Sequence, residues 1–176
     1  MPIYNLKVRY IIAIIWSLGL SIFGVFIFSN FVYRGVRLDR DIFPHFTAGT
    51  FIDFVTGLYL LVGSGFSSNL FSLFSISNLQ SVGFFGILFG QTLWPTILTW
   101  FSVGLIIGIF VKGIKHSLIT ALLVYVGLII LYFLVAMFAG VNLAGGNIFT
   151  TLSELLTSLI ILIPATILSG FINGPH

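Results

Sequence analysis

The chain has 176 residues, of which 59% are hydrophobic and only 6% are charged, and its formal net charge is +3. A soluble domain carries about 25% charged residues, so this composition excludes a water-exposed globular fold and indicates a single transmembrane domain over residues 1–176. The basic residues form no dense patch, which excludes a nucleic-acid partner, and the absence of cysteine excludes disulfides and thiolate metal sites.

We predict an all-α, polytopic membrane bundle with about five transmembrane helices, because a spanning helix needs about 20 mostly apolar residues. The predicted spans are 10–33, 50–66, 82–111, 118–139 and 152–172. The first is longer than the roughly 7–15 apolar residues of a signal peptide, so we expect an uncleaved helix. The second is the weakest, because it is short and contains Asp53 and three glycines.

The uncharged segment 67–81 spaces its apolar residues like an amphipathic helix lying in the membrane interface. Residues 50–81 could therefore form a re-entrant or interfacial segment, which leaves four spans instead of five. The third span, 82–111, would be roughly 45 Å long as one helix. It must either tilt and kink at Pro95 or lie partly in the interface.

Basic residues accumulate on the cytoplasmic side of membrane proteins, and this rule gives the expected orientation. The five-span topology places two basic residues outside and five inside, the cytoplasmic anchors being Arg34, Arg37, Arg40, Lys112 and Lys115. We therefore predict a multi-pass protein of the cell membrane with its N-terminus outside and its C-terminus in the cytoplasm. Four spans would place four basic residues on one side and three on the other, a difference too small to indicate the orientation.

Ionisable residues inside a membrane protein are candidates for function. Asp53 lies three residues after Thr50, a spacing that approximates a capping box at a helix start. The alternatives for Asp53 are an ion- or proton-binding carboxylate facing the bundle interior, or an ion pair with an arginine. Glu154 follows Thr151 at the same spacing, so we expect a capping box there as well.

Motifs for catalysis and cofactor binding are missing from the sequence. His45 and His116 lie in polar connections, so neither is expected to bind haem or a metal. There is no nucleophile elbow, no zinc-protease motif and no phosphate-binding loop. We therefore expect no enzyme activity, no catalytic residues and no cofactor.

Small residues at four-residue spacing predict close helix packing in lipid. The motifs are Gly86/Gly90 and Gly104/Gly108 on the third span, Ala136/Gly140 on the fourth, and Ala165/Ser169 on the fifth. These faces could pack within the chain or against a partner subunit. Because the third span is the longest and has two of the motifs, we predict that it is the packing centre and carries the main association face.

These features support two functional hypotheses. The first is a small, non-catalytic structural or accessory subunit of a larger membrane complex, in contact with lipid and with other subunits or a second copy of itself. It rests on the missing catalytic groups, the short loops and the small-residue motifs. The alternative is a small transporter or channel for an ion or small solute, with Asp53 in the pathway and Pro95 and Pro164 interrupting helices.

Overall fold

The computed structural model describes residues 6–71, 80, 83, 85–86, 89, 93–141 and 148–174, and within them the fold is helical with one short β-hairpin. In chain order the elements are α1 (Leu6–Phe28), β1 (Val32–Tyr33), β2 (Val36–Arg37), a π-helical turn (Leu38–Ile42), α2 (Phe43–Thr47), α3 (Phe51–Phe66), α4 (Leu93–Val111), α5 (Ile114–Phe138) and α6 (Ile148–Ile172). Strands β1 and β2 are antiparallel, with Val32 opposite Arg37 and Tyr33 opposite Val36.

In the described part of the chain, four helices are long and apolar enough to cross a membrane, namely α1, α4, α5 and α6. The predicted second span is present as α3, but it has only 16 residues. At 1.5 Å per residue it is roughly 24 Å long, shorter than a hydrocarbon core of about 30 Å. This set of helices matches the four-span alternative. Most of the predicted amphipathic segment 67–81 lies outside the described residues.

Helix α4 lies at the centre of the bundle and packs most extensively against α6 and α1. Its side chains Trp100, Val103 and Ile107 are fully buried in the main apolar core. Pro95 occupies the first turn of α4, where the missing N–H of proline has no helical partner to lose. Pro95 therefore interrupts no hydrogen bond between the described residues of α4.

Helix α3 enters the bundle beside α5 and stops partway along it. Phe51 at the start of α3 contacts Phe138 at the end of α5, and Phe66 at the end of α3 contacts Tyr125. The two helices are therefore antiparallel. Because Tyr125 lies near the middle of α5, α3 ends at the level of the bundle centre.

The two ends of α4 mark two opposite faces of the bundle. The hydroxyl of Tyr33, in the hairpin after α1, lies 2.9 Å from that of Thr96 in the first turn of α4. We call this end the hairpin face. Lys112 and Lys115 follow the other end of α4, roughly 28 Å away by helix length, and we call this end the lysine face.

Both described ends of the chain lie at the lysine face. Gly174 lies against Gly113, in the connection between α4 and α5. Gly24, near the C-terminal end of α1, contacts Thr99 at the hairpin end of α4, and α1 packs extensively against α4. From Gly24 back to Leu6, α1 is roughly 27 Å long, about the length of α4. Helix α1 is therefore antiparallel to α4 and begins at the lysine face.

The basic residues of the chain are distributed over both faces of this bundle. The five predicted cytoplasmic anchors are divided between the faces: Arg34, Arg37 and Arg40 lie at the hairpin face, and Lys112 and Lys115 at the lysine face. Helix α3 ends inside the bundle, so the chain is again at the hairpin face when α4 begins.

Candidate functional site

A cavity of about 350 Å³ lies between the β-hairpin, α3, α5 and the start of α6. Its wall combines an arginine and a glutamate with aromatic, small and hydroxyl side chains. The lining residues are Tyr33, Arg34, Val36, Tyr59, Leu60, Gly63, Ser64, Phe66, Ser67, Tyr132, Thr151, Glu154 and Leu155. Charged groups of both signs therefore meet in one concave site beside the inner end of α3.

Arg34 reaches the cavity from the turn of the hairpin. Arg34 and Gly35 are the two central turn residues, and both have positive φ, 52° and 81°. Two successive positive φ angles are typical of a type I′ turn, a conformation that glycine adopts without strain but arginine adopts rarely. The Arg34 guanidinium donates to the carbonyl oxygen of Ser67, and its Nη1 lies 3.6 Å from Oε1 of Glu154.

Glu154 is not part of a capping box, contrary to the sequence prediction. Helix α6 already begins at Ile148, so Thr151 lies inside the helix and Glu154 falls in its second turn. There it is the acidic partner of Arg34, and its side chain is 21% exposed against 48% for Arg34. The two residues of this ion pair are 120 positions apart in the sequence, so local residue spacing does not predict it.

The inner end of α3 has its backbone groups satisfied by side chains from other elements. Trp100 Nε1 donates to the carbonyl of Gly65 at 2.9 Å, and the backbone N–H of Leu70 donates to Thr157 Oγ1 at 2.8 Å. A helix end inside a membrane protein needs such partners because lipid supplies none. The last carbonyls of α3, together with that of Ser67, also present the negative end of a helix dipole near Arg34.

An aromatic wall closes one side of the cavity. The rings of Tyr59 and Tyr132 are stacked with centroids 5.7 Å apart. Phe66 lies 5.8 Å from Tyr132 and is tilted by 58° to it, so these two rings form a corner. The cavity therefore has an aromatic side from α3 and α5, and a charged side from the hairpin and α6.

Tyr33 anchors the hairpin that carries Arg34. Its ring is buried against Phe26 of α1, and its hydroxyl meets that of Thr96 in α4. Burial raises the pKa of the Tyr33 hydroxyl above its ordinary value, and the hydrogen bond with Thr96 opposes this rise. The hydroxyl is thus neutral at physiological pH and fixes the hairpin to two long helices.

Asp53 lies away from this cavity, in the first turn of α3. The Asp53 backbone N–H donates to Thr50 Oγ1 at 3.1 Å, and that hydroxyl donates to Asp53 Oδ2 at 2.5 Å. His45 Nδ1 lies 3.7 Å from Asp53 Oδ1. The side chain of Asp53 is 37% exposed. This geometry is that of a helix N-cap with a neighbouring histidine.

Two of the small-residue motifs meet each other inside the chain. A Cβ on Gly104 would lie 2.7 Å from Ala165 Cβ, and a Cβ on Gly108 would lie 2.4 Å from Ser169 Cβ. The Ser169 hydroxyl also donates to the carbonyl of Leu105 at 2.8 Å. Helices α4 and α6 therefore approach closely along this line, as small residues allow.

The other two motifs have different surroundings. Ala136 is buried in α5, but Gly140 lies beyond the helix end with φ +70°, and the N–H of Val141 returns to the carbonyl of Ala136. Gly140 thus ends the helix instead of packing against another one. Gly86 is exposed, and Gly90 lies outside the described residues.

Within the described residues, no group of three histidine, aspartate or glutamate side chains is arranged to hold a metal ion. Comparison of the chain with known protein families, with curated proteins and with solved structures found no match.

Proposed function

We propose that this multi-pass membrane protein binds a small polar solute in the Arg34/Glu154 cavity and belongs to the transporter or channel class. The observation that carries the proposal is an arginine–glutamate pair lining a cavity beside a helix that ends inside the bundle. Ionisable side chains within a membrane bundle mark solute or ion pathways, and helices that end at mid-depth are typical of transporter binding sites.

The dimensions and composition of the cavity fit this function. Small-molecule sites have volumes of roughly 300–1,000 Å³ and are mainly apolar or aromatic, with a few polar groups that orient the ligand. The cavity of about 350 Å³ falls at the lower end of this range. It is therefore suited to a small solute. The expected pathway residue changes from Asp53, which lies in the first turn of α3, to the Arg34/Glu154 pair.

An accessory-subunit role has less support from the described contacts. That hypothesis relied on small-residue faces for association with partners. Gly104 and Gly108 instead contact Ala165 and Ser169 of the same chain, and Gly140 ends a helix. Purification in mild detergent with identification of co-purifying chains tests the subunit role: a stoichiometric partner would revive it.

The absence of natural cysteine makes cavity access directly measurable. A single Ser64→Cys reporter, in the cavity wall, should react with a membrane-impermeant charged thiol reagent in nanodiscs because the proposal requires a water-filled site. The matched control is Ser158→Cys on α6, whose parent side chain is fully buried outside the cavity lining. If the two cysteines react equally slowly, the cavity is closed to water and the proposed function is wrong.

We also propose that the four-helix arrangement places both termini on the same side of the cell membrane. Lys7, Arg9, Lys112 and Lys115 then share one side, and the three arginines of the hairpin face lie on the other. A reporter active only in the cytoplasm, fused before Met1 or after His176, should give the same result at both ends. Activity at one end alone would restore a five-span topology.

A further inference from the structure

We propose that the solute is a small zwitterion, with an ammonium group held between the aromatic wall and Glu154 and an acidic group held by Arg34. This inference rests on the proposed function, because it names the ligand class of the same cavity. It is carried by three features of the wall: aromatic rings on one side, and a carboxylate and a guanidinium next to each other on the other side.

The cationic half of the ligand is matched by three sources of negative potential. Glu154 contributes a carboxylate, and the last carbonyls of α3 contribute the negative end of its dipole. Tyr59, Tyr132 and Phe66 add aromatic rings, whose faces attract ammonium groups, most strongly where water is excluded. An apolar solute of the same shape would use the rings but leave the carboxylate without a new partner.

The anionic half of the ligand is matched by Arg34. A guanidinium has five N–H donors in a planar fork that suits a carboxylate or phosphate. Both contacts described above for Arg34, to the Ser67 carbonyl and to Glu154, involve the single atom Nη1. The rest of the fork can thus bind an acidic group while the arginine keeps its position on α3.

Charge balance selects a zwitterion over a simple cation or anion. The cavity lining contains one basic and one acidic side chain, Arg34 and Glu154, so its formal charge is zero. A ligand with one net charge would leave that charge uncompensated in a partly buried site, which is unfavourable. A ligand with both charges can pair each one while the site stays neutral.

Three probes separate the alternatives, two of them of nearly equal shape and the third a smaller cation. Glycine betaine has a quaternary ammonium and a carboxylate, tert-butylacetate replaces the ammonium by a neutral carbon, and tetramethylammonium lacks the acid. Each is tested for slowing the modification of Ser64→Cys in phosphatidylglycerol nanodiscs. We expect glycine betaine to protect at a concentration about tenfold lower than either analogue, because each analogue loses one charged interaction.

Tyr132→Leu should remove most of the difference between glycine betaine and tert-butylacetate, whereas Tyr132→Phe should keep it because the ring remains. Protection by tert-butylacetate or tetramethylammonium equal to that by glycine betaine would overturn the zwitterion assignment, as would no protection by any probe. In these cases a reactive Ser64→Cys still supports the proposed function. An unreactive cysteine would refute both.

A zwitterionic lipid headgroup has the same pair of charges as a free zwitterion. A separate experiment must therefore distinguish a lipid headgroup from a free solute as the ligand. The reporter is compared in phosphatidylglycerol and phosphatidylcholine nanodiscs without added probe. Equal reaction rates support a free solute. Protection by phosphatidylcholine alone, abolished by Tyr132→Leu, would assign the site to a lipid headgroup.

Discussion

Gly108→Ala should destabilise the bundle although it adds a single methyl group. A Cβ at this position would lie 2.4 Å from Ser169 Cβ and 2.6 Å from the backbone nitrogen of Gly170. The first contact is about 1 Å shorter than ordinary van der Waals distance. Since the second contact is to backbone, rotation of a side chain cannot relieve it. Helices α4 and α6 must therefore move apart.

The size of the effect follows from this separation. A radial gap of about 0.5–1 Å removes a quarter to a half of each dispersion contact, and each contact is worth about 0.1–0.2 kcal/mol. The same movement stretches the hydrogen bond from Ser169 to the Leu105 carbonyl, a net contribution of about 0.5–1.5 kcal/mol. Together with the known cost of overpacking, we expect a loss of about 1–3 kcal/mol in the free energy of unfolding.

The assay is unfolding in mixed detergent micelles with increasing sodium dodecyl sulfate, followed by tryptophan fluorescence. The matched control is Gly127→Ala on α5, where a Cβ would meet nothing within 4 Å. Removing a helical glycine there should be neutral or stabilising by up to about 1 kcal/mol. The reasoning is refuted if Gly108→Ala unfolds at the same detergent fraction as Gly127→Ala.

Three further predictions use other contacts. Trp100→Phe leaves the buried carbonyl of Gly65 without its hydrogen-bond donor, so the free energy of unfolding should fall by about 1–3 kcal/mol. The control Trp16→Phe, at a position that is 62% exposed, should change little in the same assay. Asp53→Asn should lower the free energy of unfolding by about 1 kcal/mol or less, and the ligand should still protect Ser64→Cys from modification. Loss of this protection in a folded variant would show that Asp53 belongs to the solute pathway. The hydrogen-bonded Arg37 guanidinium holds the pKa of Asp39 below its ordinary value. The pair therefore contributes to stability at pH values above the ordinary pKa, and this contribution is lost as the pH falls through the lowered pKa. Arg37→Gln should raise the Asp39 pKa in a carbon NMR titration, and an unchanged pKa would show that the pair does not form.

The long helices could be predicted because hydropathy is a local property. The runs that form α1, α4, α5 and α6 are each long and apolar enough to cross a bilayer, whatever their neighbours are. Helix α3 was harder to assign, because a short apolar helix can cross, lie flat or stop inside. Its contacts with Tyr125 and Trp100 decide this, and those residues lie far away in the sequence.

The candidate site could not be predicted because its charged residues are brought together only by tertiary structure. In the sequence, Arg34 is one of several arginines in a polar connection, and the spacing of Glu154 predicts a helix cap. The spacing of Thr151 and Glu154 imitates a capping box, yet both residues lie inside α6, which already includes Ile148. The positive φ of Arg34 is likewise absent from composition and spacing, although the following glycine is a typical hairpin residue.

The hydrogen bonds at the inner end of α3 have a consequence for biosynthesis. The donor to Gly65 is 35 residues further along the chain, and the acceptor for the Leu70 N–H is 87 residues further along. A ribosome releases α3 well before Trp100 and long before Thr157. Until the last helix has been inserted, the tip of α3 lacks its full set of partners and cannot remain stably among lipid chains. We therefore expect α3 to reach its final depth only after α6, as the last step of assembly.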